Sequence, residues 1–154
     1  MGTQLHMFLF PFMARGHMIP VVDMAKLLSS RGVKITIVTT PLNPISISNS
    51  IQNSKSLSTS LIHLLILKFP SAEVGLPDGC ENLDSVVTPA MFPKFNSALK
   101  LLQTPLEEAI MKHRPHCIAA DMYFPWANDV AAKFGIPGSI SMALVFSPAV
   151  LRSS

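Results

Sequence analysis

The first forty residues spell strand, helix, strand, and a β-α-β unit leaves a chain very few ways to fold. Residues 5–11 form a near-continuous apolar run, the pattern of a parallel strand buried on both faces. From residue 17 to 30, Met18, Val21, Val22, Ala25 and Leu28 recur at helical spacing. Pro20 falls in the first turn of that expected helix, Asp23 favours its positive end, and Gly32 closes it. Residues 33–40 are rich in Val, Ile and Thr and read as the second strand. Two strands joined through a helix lie parallel, with a right-handed crossover.

The alternation continues. Residues 41–60 are rich in Ser, Asn and Pro, with a short helix expected over 45–52 and a loop over 53–60. A third strand is expected over 61–69, and an irregular connection over 70–83 carries Pro70, Gly75, Pro77, Asp78 and Gly79. A connection of that length in a compact domain usually serves function. Helical pattern spans 89–113, with a break expected near Pro105. A fourth strand follows over 115–121, a helix over 126–134 and a fifth strand over 138–146. The expected class is α/β, a Rossmann-like doubly wound parallel sheet of order 3-2-1-4-5.

In that order strands one and four are neighbours, where the winding reverses, and open α/β sheets bind ligands there. His17 follows strand one and Asp121 ends strand four. Neighbouring strands are about 4.8 Å apart, so the two side chains come within contact range. A neutral imidazole held at one nitrogen by a carboxylate offers the other nitrogen as a base. Each residue alone has a plainer use, His17 as a polar turn residue and Asp121 as a helix cap; their pairing favours chemistry. With no protein nucleophile in the pattern, a substrate hydroxyl takes that place.

Composition narrows the partners. The 154 residues carry a net charge of +3 with scattered cations, which argues against nucleic acid or an anionic membrane as partner. The longest apolar run, 61–67, is interrupted by His63 and too short to span a bilayer. Cys80 and Cys117 form no CxxC, and no signal peptide is evident, so the expected location is cytoplasmic. Charged residues make up 14% of the chain against a usual value of about 25%, with a mean hydropathy of +0.41. So little charge suggests a surface covered by another domain or partner. No phosphate-cradling glycine motif and no nucleophile elbow occur, which disfavours a nucleotide-dependent oxidoreductase and a serine hydrolase. His113, His116 and Cys117 are close in sequence but broken by Pro115, and no metal site is expected there. Phe92, Phe95, Phe124 and Trp126 are core residues or the lining of an apolar pocket near Asp121.

Several separated motifs, in order, carry a resemblance: Phe10-Pro11-Phe12-Met13-Ala14-Arg15-Gly16-His17-Met18-Ile19-Pro20, Asp23-Met24-Ala25-Lys26-Leu27, Val38-Thr39-Thr40-Pro41, Gly75-Leu76-Pro77-Asp78-Gly79-Cys80-Glu81-Asn82 and Ala120-Asp121-Met122-Tyr123-Phe124-Pro125-Trp126. The chain resembles the N-terminal, acceptor-binding domain of plant UDP-dependent glycosyltransferases (family 1), one half of a GT-B fold. The resemblance implies inverting transfer from a UDP-sugar to a hydroxyl of a small lipophilic flavonoid, terpenoid or phenolic acceptor. It makes His17 the base and Asp121 its orienting partner, with no metal and no cofactor. It places acceptor contacts at Gly16, Met18, Ile19, Met91, Phe92, Phe124 and Trp126. It assigns most of the UDP-sugar binding to a C-terminal domain not present in residues 1–154, so the chain alone is expected to be inactive and incomplete at its C-terminal end.

Two departures from the family pattern stand out. Arg15 occupies a position where relatives usually carry glutamine, and Leu144 stands where a threonine is expected to touch the donor sugar. The alternative is a non-catalytic module that binds apolar metabolites or pairs with a full-length relative.

Overall fold

A computed structural model describes residues 4–41, 48–49, 60–136 and 140–142. The expected helix over 45–52, apart from Ser48 and Asn49, the loop over 53–60, apart from Ser60, and the Leu144 position lie outside those residues. Five parallel strands form one sheet: β1 (His6–Phe10), β2 (Lys34–Thr39), β3 (Ile62–Ile66), β4 (Cys117–Asp121) and β5 (Ile140–Met142). Their order is β3-β2-β1-β4-β5, as the alternating pattern predicts. Four helices are described: α1 (Arg15–Ser29), α2 (Met91–Leu101), α3 (Gln103–His113) and α4 (Ala127–Lys133).

The period of two in each strand sorts the core onto two faces. Phe8 and Phe10 of β1, Val38 of β2, and Ile118 and Ala120 of β4 pack with Phe95, Leu99, Leu102, Leu106, Ile110 and Val130 from α2–α4 and the residue joining α2 to α3. Leu9, Ile35, Ile37 and Ala119 turn to the other face and meet Val21, Val22 and Ala25 of α1. That two-sided burial is why β1 is apolar almost without interruption. Gly32, at φ 86°, supplies the left-handed backbone that closes α1, with the Val33 N–H donated to the Leu28 carbonyl at 3.2 Å.

Two boundaries differ from the sequence expectation. The helix expected from residue 17 begins at Arg15, so Pro20 sits in the second turn and Asp23 lies beyond the first. Pro20 has no N–H to give the Gly16 carbonyl four residues back. The helical stretch over 91–113 breaks at Leu102, not Pro105. Leu102 is fully buried and joins two helices, whereas Pro105 sits in the first turn of α3, where its missing N–H costs nothing.

At the amino end of β1, His6 is buried with its Nε2 2.7 Å from Thr36 Oγ1. Burial first, then the charges of Lys34 and the neighbouring histidines, lower its pKa from 6.5 to about 4. The unfolded chain therefore binds a proton between about pH 4 and 6.5 that the folded chain refuses. Stability from this site is full above pH 6.5 and is lost as pH falls towards 4. Thermal unfolding over that range is expected to show a steeper acid loss for the wild type than for His6→Gln; equal slopes would refute the assignment.

Candidate functional site

The site is assembled where β1 and β4 end. Register pairs Phe10 with Ala120, so Asp121 lies one residue past the last β1–β4 pair. Beyond Phe10 the chain makes a buried turn, Pro11-Phe12-Met13-Ala14, in which the Ala14 N–H is donated to the Phe12 carbonyl at 2.8 Å. Ala14 is extended (φ −142°, ψ 140°), and its carbonyl accepts the N–H groups of His17 (2.9 Å) and Met18 (3.0 Å). Those bonds begin α1 and set His17 in its first turn.

His17 Nδ1 and Asp121 Oδ2 are 2.7 Å apart. A carboxylate only accepts hydrogen bonds, so Nδ1 donates in this pair, and in a neutral ring the lone pair then lies on Nε2. Asp121 is wholly buried, and its second oxygen accepts the Tyr123 N–H at 3.3 Å. Phe12 meets the His17 ring edge-on at 5.4 Å and Tyr123 does so at 5.6 Å, while Phe12 and Tyr123 stack on each other at 4.2 Å. The imidazole is thus hydrogen-bonded at one nitrogen, walled by two aromatic rings, and 16% exposed.

The other sequence-predicted residues divide. Ile19 (54% exposed) and Gly16 face outward, whereas Met18 is half-buried against the α1 layer. Phe92 is 47% exposed and Met91 half-buried at the start of α2, whose Phe95 meets Phe12 edge-on at 6.1 Å. Phe124 is wholly buried and stacks on Phe10 at 4.0 Å with the rings 2° from parallel. Trp126 packs edge-on against both, half-buried. Phe124, expected among the acceptor contacts, therefore backs the site and does not line it. Tyr123, in the turn after β4, is half-exposed. Tyr123 and Phe12 were not singled out from the sequence; the signal was an aromatic residue two positions past a strand-end carboxylate. Among the described residues, no three His, Cys, Asp or Glu side chains converge where a metal could sit.

Comparison with known proteins finds chains similar to this one among proteins named as glucosyltransferases. The chain is 52% identical over 134 residues to scopoletin glucosyltransferase of Nicotiana tabacum, covering 87% of this chain and 28% of that protein. It is 50% identical over 155 aligned residues to anthocyanin 3'-O-beta-glucosyltransferase of Gentiana triflora, covering 97% of this chain and 32% of that protein. The chain thus spans about a third or less of the length of these relatives. Among solved structures, Glycyrrhiza uralensis UGT73P12 complexed with glycyrrhetinic acid 3-O-monoglucuronide superposes with a TM-score of 0.72 at 37% identity, over 88% of this chain and 27% of that one. Arabidopsis thaliana UGT89C1 complexed with quercetin gives 0.74 at 30% identity, over 90% and 34%. No family model matches the chain.

Gly16 offers a test of contact at the opening. A Cβ built there meets nothing within 4 Å, and its φ is not in the left-handed region. Gly16→Ala is therefore expected to stabilise the fold by about 0.5 kcal/mol through helix propensity. Denaturant unfolding measures this, and destabilisation of the variant would contradict the open geometry.

Proposed function

We propose, from the premise that this chain belongs by homology over nearly its whole length with the plant UDP-glycosyltransferases, that it carries the acceptor-activating side of a sugar transfer. Its sheet is the Rossmann-like arrangement of the N-terminal half of their GT-B fold. In this reading His17 Nε2 takes the proton from a hydroxyl of a small lipophilic acceptor. The acceptor oxygen attacks the anomeric carbon of a UDP-sugar from the face opposite the nucleotide. The carbon–oxygen bond to UDP breaks, UDP leaves with the electron pair, and configuration inverts. Asp121 holds the Nδ1 proton and balances the imidazolium that forms.

The observation that carries this reading is the 2.7 Å bond between His17 Nδ1 and the buried Asp121 carboxylate at the ends of adjacent strands. The acceptor class is supported by the apolar side chains exposed within two residues of His17 or Asp121 in the chain, Ile19, Met122 and Tyr123. It is supported also by what the relatives are named for, scopoletin and anthocyanin, and by the quercetin complex of a structural neighbour. The UDP-sugar is assigned mainly to a second domain, in keeping with relatives some three times as long as the matched stretch. A positioned base contributes roughly 10²–10⁴-fold to such a step.

The test is product formation from UDP-glucose and a flavonol, read by mass spectrometry, with this chain alone and with the separately supplied C-terminal half of a close relative. Product is expected only in the mixture. His17→Ala should cut the rate by at least about 100-fold, with Asp121→Asn lowering kcat more than it raises KM. Apolar phenol binding without product, indifferent to His17→Ala, would instead identify a binding module.

A further inference from the structure

Between β3 and α2 lies a long connection, residues 67–90, ordered by its own hydrogen bonds. Gly75, at φ 79°, ends a short 3-10 turn (Ala72–Val74), and the Leu76 N–H returns to the Ser71 carbonyl at 2.8 Å. Leu76 and Cys80 are buried in the same cluster as Phe12 and Met13. Asn82 then opens a second 3-10 turn (Leu83–Ser85) from extended backbone (φ −139°, ψ 166°). Its Oδ1 accepts the Ser85 N–H at 3.1 Å and the Ser85 hydroxyl at 3.0 Å. The Cys80 thiol donates to the Ser85 carbonyl at 3.6 Å, closing the turn from the other side.

The first N–H of a helical turn has no partner within that turn. Here it belongs to Leu83, and it is donated to the Met13 carbonyl at 2.8 Å. Met13 is buried, next to Ala14, whose own carbonyl starts α1 and seats His17. A chain of bonds therefore runs from Asn82 through the Leu83 amide and the Met13 and Ala14 peptides to the base.

We propose that Asn82 is a positioning residue for His17: by capping the 83–85 turn it aims the Leu83 N–H at the Met13 carbonyl, and this pins the turn from which the imidazole reaches Asp121. The inference rests on His17 acting as the base. Its physical content is tolerance. The 2.7 Å bond has less than about 1 Å to lose before it ceases to be one, and a misplacement of about 1 Å can cost on the order of 10²-fold in rate.

The experiment uses the isotope-labelled chain and no substrate. Amide hydrogen exchange reads the Leu83 N–H, and imidazole nitrogen shifts read the His17 tautomer. In the wild type, Leu83 is expected to be protected and His17 to hold its proton on Nδ1. Asn82→Ala should speed Leu83 exchange at least tenfold and mix the His17 tautomers, with the Leu9 amide in β1 still protected. Asn82→Asp keeps the accepting oxygen and should restore both. Should Asn82→Ala fail to fold, Ser85→Ala, which removes one of the two donors to Oδ1, should move both readouts the same way by less. Fast Leu83 exchange in the wild type, or an unchanged His17 tautomer once the cap is gone, overturns the inference. Neither readout involves sugar transfer, so failure here and failure of the transfer reading are separately visible.

Discussion

Every feature of the site depends on the pairing of β1 with β4. These strands come from distant parts of the chain, and their parallel register brings Phe10 beside Ala120. Once that pair is set, the next residues on each strand end have little freedom. Asp121 is buried against the turn that carries His17, and a buried carboxylate is costly unless it is hydrogen-bonded. The imidazole and the Tyr123 amide meet that demand. The same bonds that make the buried acid tolerable orient the histidine, so the structural need and the proposed chemistry are met by one arrangement.

Aromatic packing turns this pairing into a rigid block. Phe10 and Phe124 stack beneath the site, Trp126 meets both edge-on, and Phe12 and Tyr123 stack beside the imidazole. Aromatic pairs of this kind contribute about 0.5–1.5 kcal/mol each beyond the area they bury. Their value here is also geometric, because flat rings in fixed contact leave the histidine few alternative orientations. Exposure falls on Tyr123, Phe92 and Ile19.

Much of this was legible in the sequence because it follows from period and position. The unbroken apolarity of β1, the helical spacing after Met18 and the β-branched run after Gly32 led to the sheet order, and the order brought His17 to Asp121. What escaped was direction within turns. Nothing in the motif from Ala120 to Trp126 says that Phe124 turns inward and Tyr123 outward, since a turn has no fixed side-chain period. The helix break was misplaced for a related reason: Pro105 is a strong breaker inside a helix but is at home in a first turn, and the buried Leu102 gives no sequence signal. Asn82 was visible only as part of a family-like segment, because the turn it caps meets the distant Met13 through the Leu83 N–H, a backbone bond with no side-chain signal.

The β1–β4 register also bears on which changes the chain can accumulate. Side chains alternate across a sheet, so a single-residue insertion or deletion within β4 would swing its carboxyl-terminal acid to the opposite face. No substitution elsewhere could then return it to the imidazole. Length variation is far easier to absorb in the surface stretches of the 67–90 connection, outside the segment that docks on Phe12 and Met13. Lineages descended from such a sequence should therefore diverge by lengthening and shortening that connection while the fourth strand keeps its residue count.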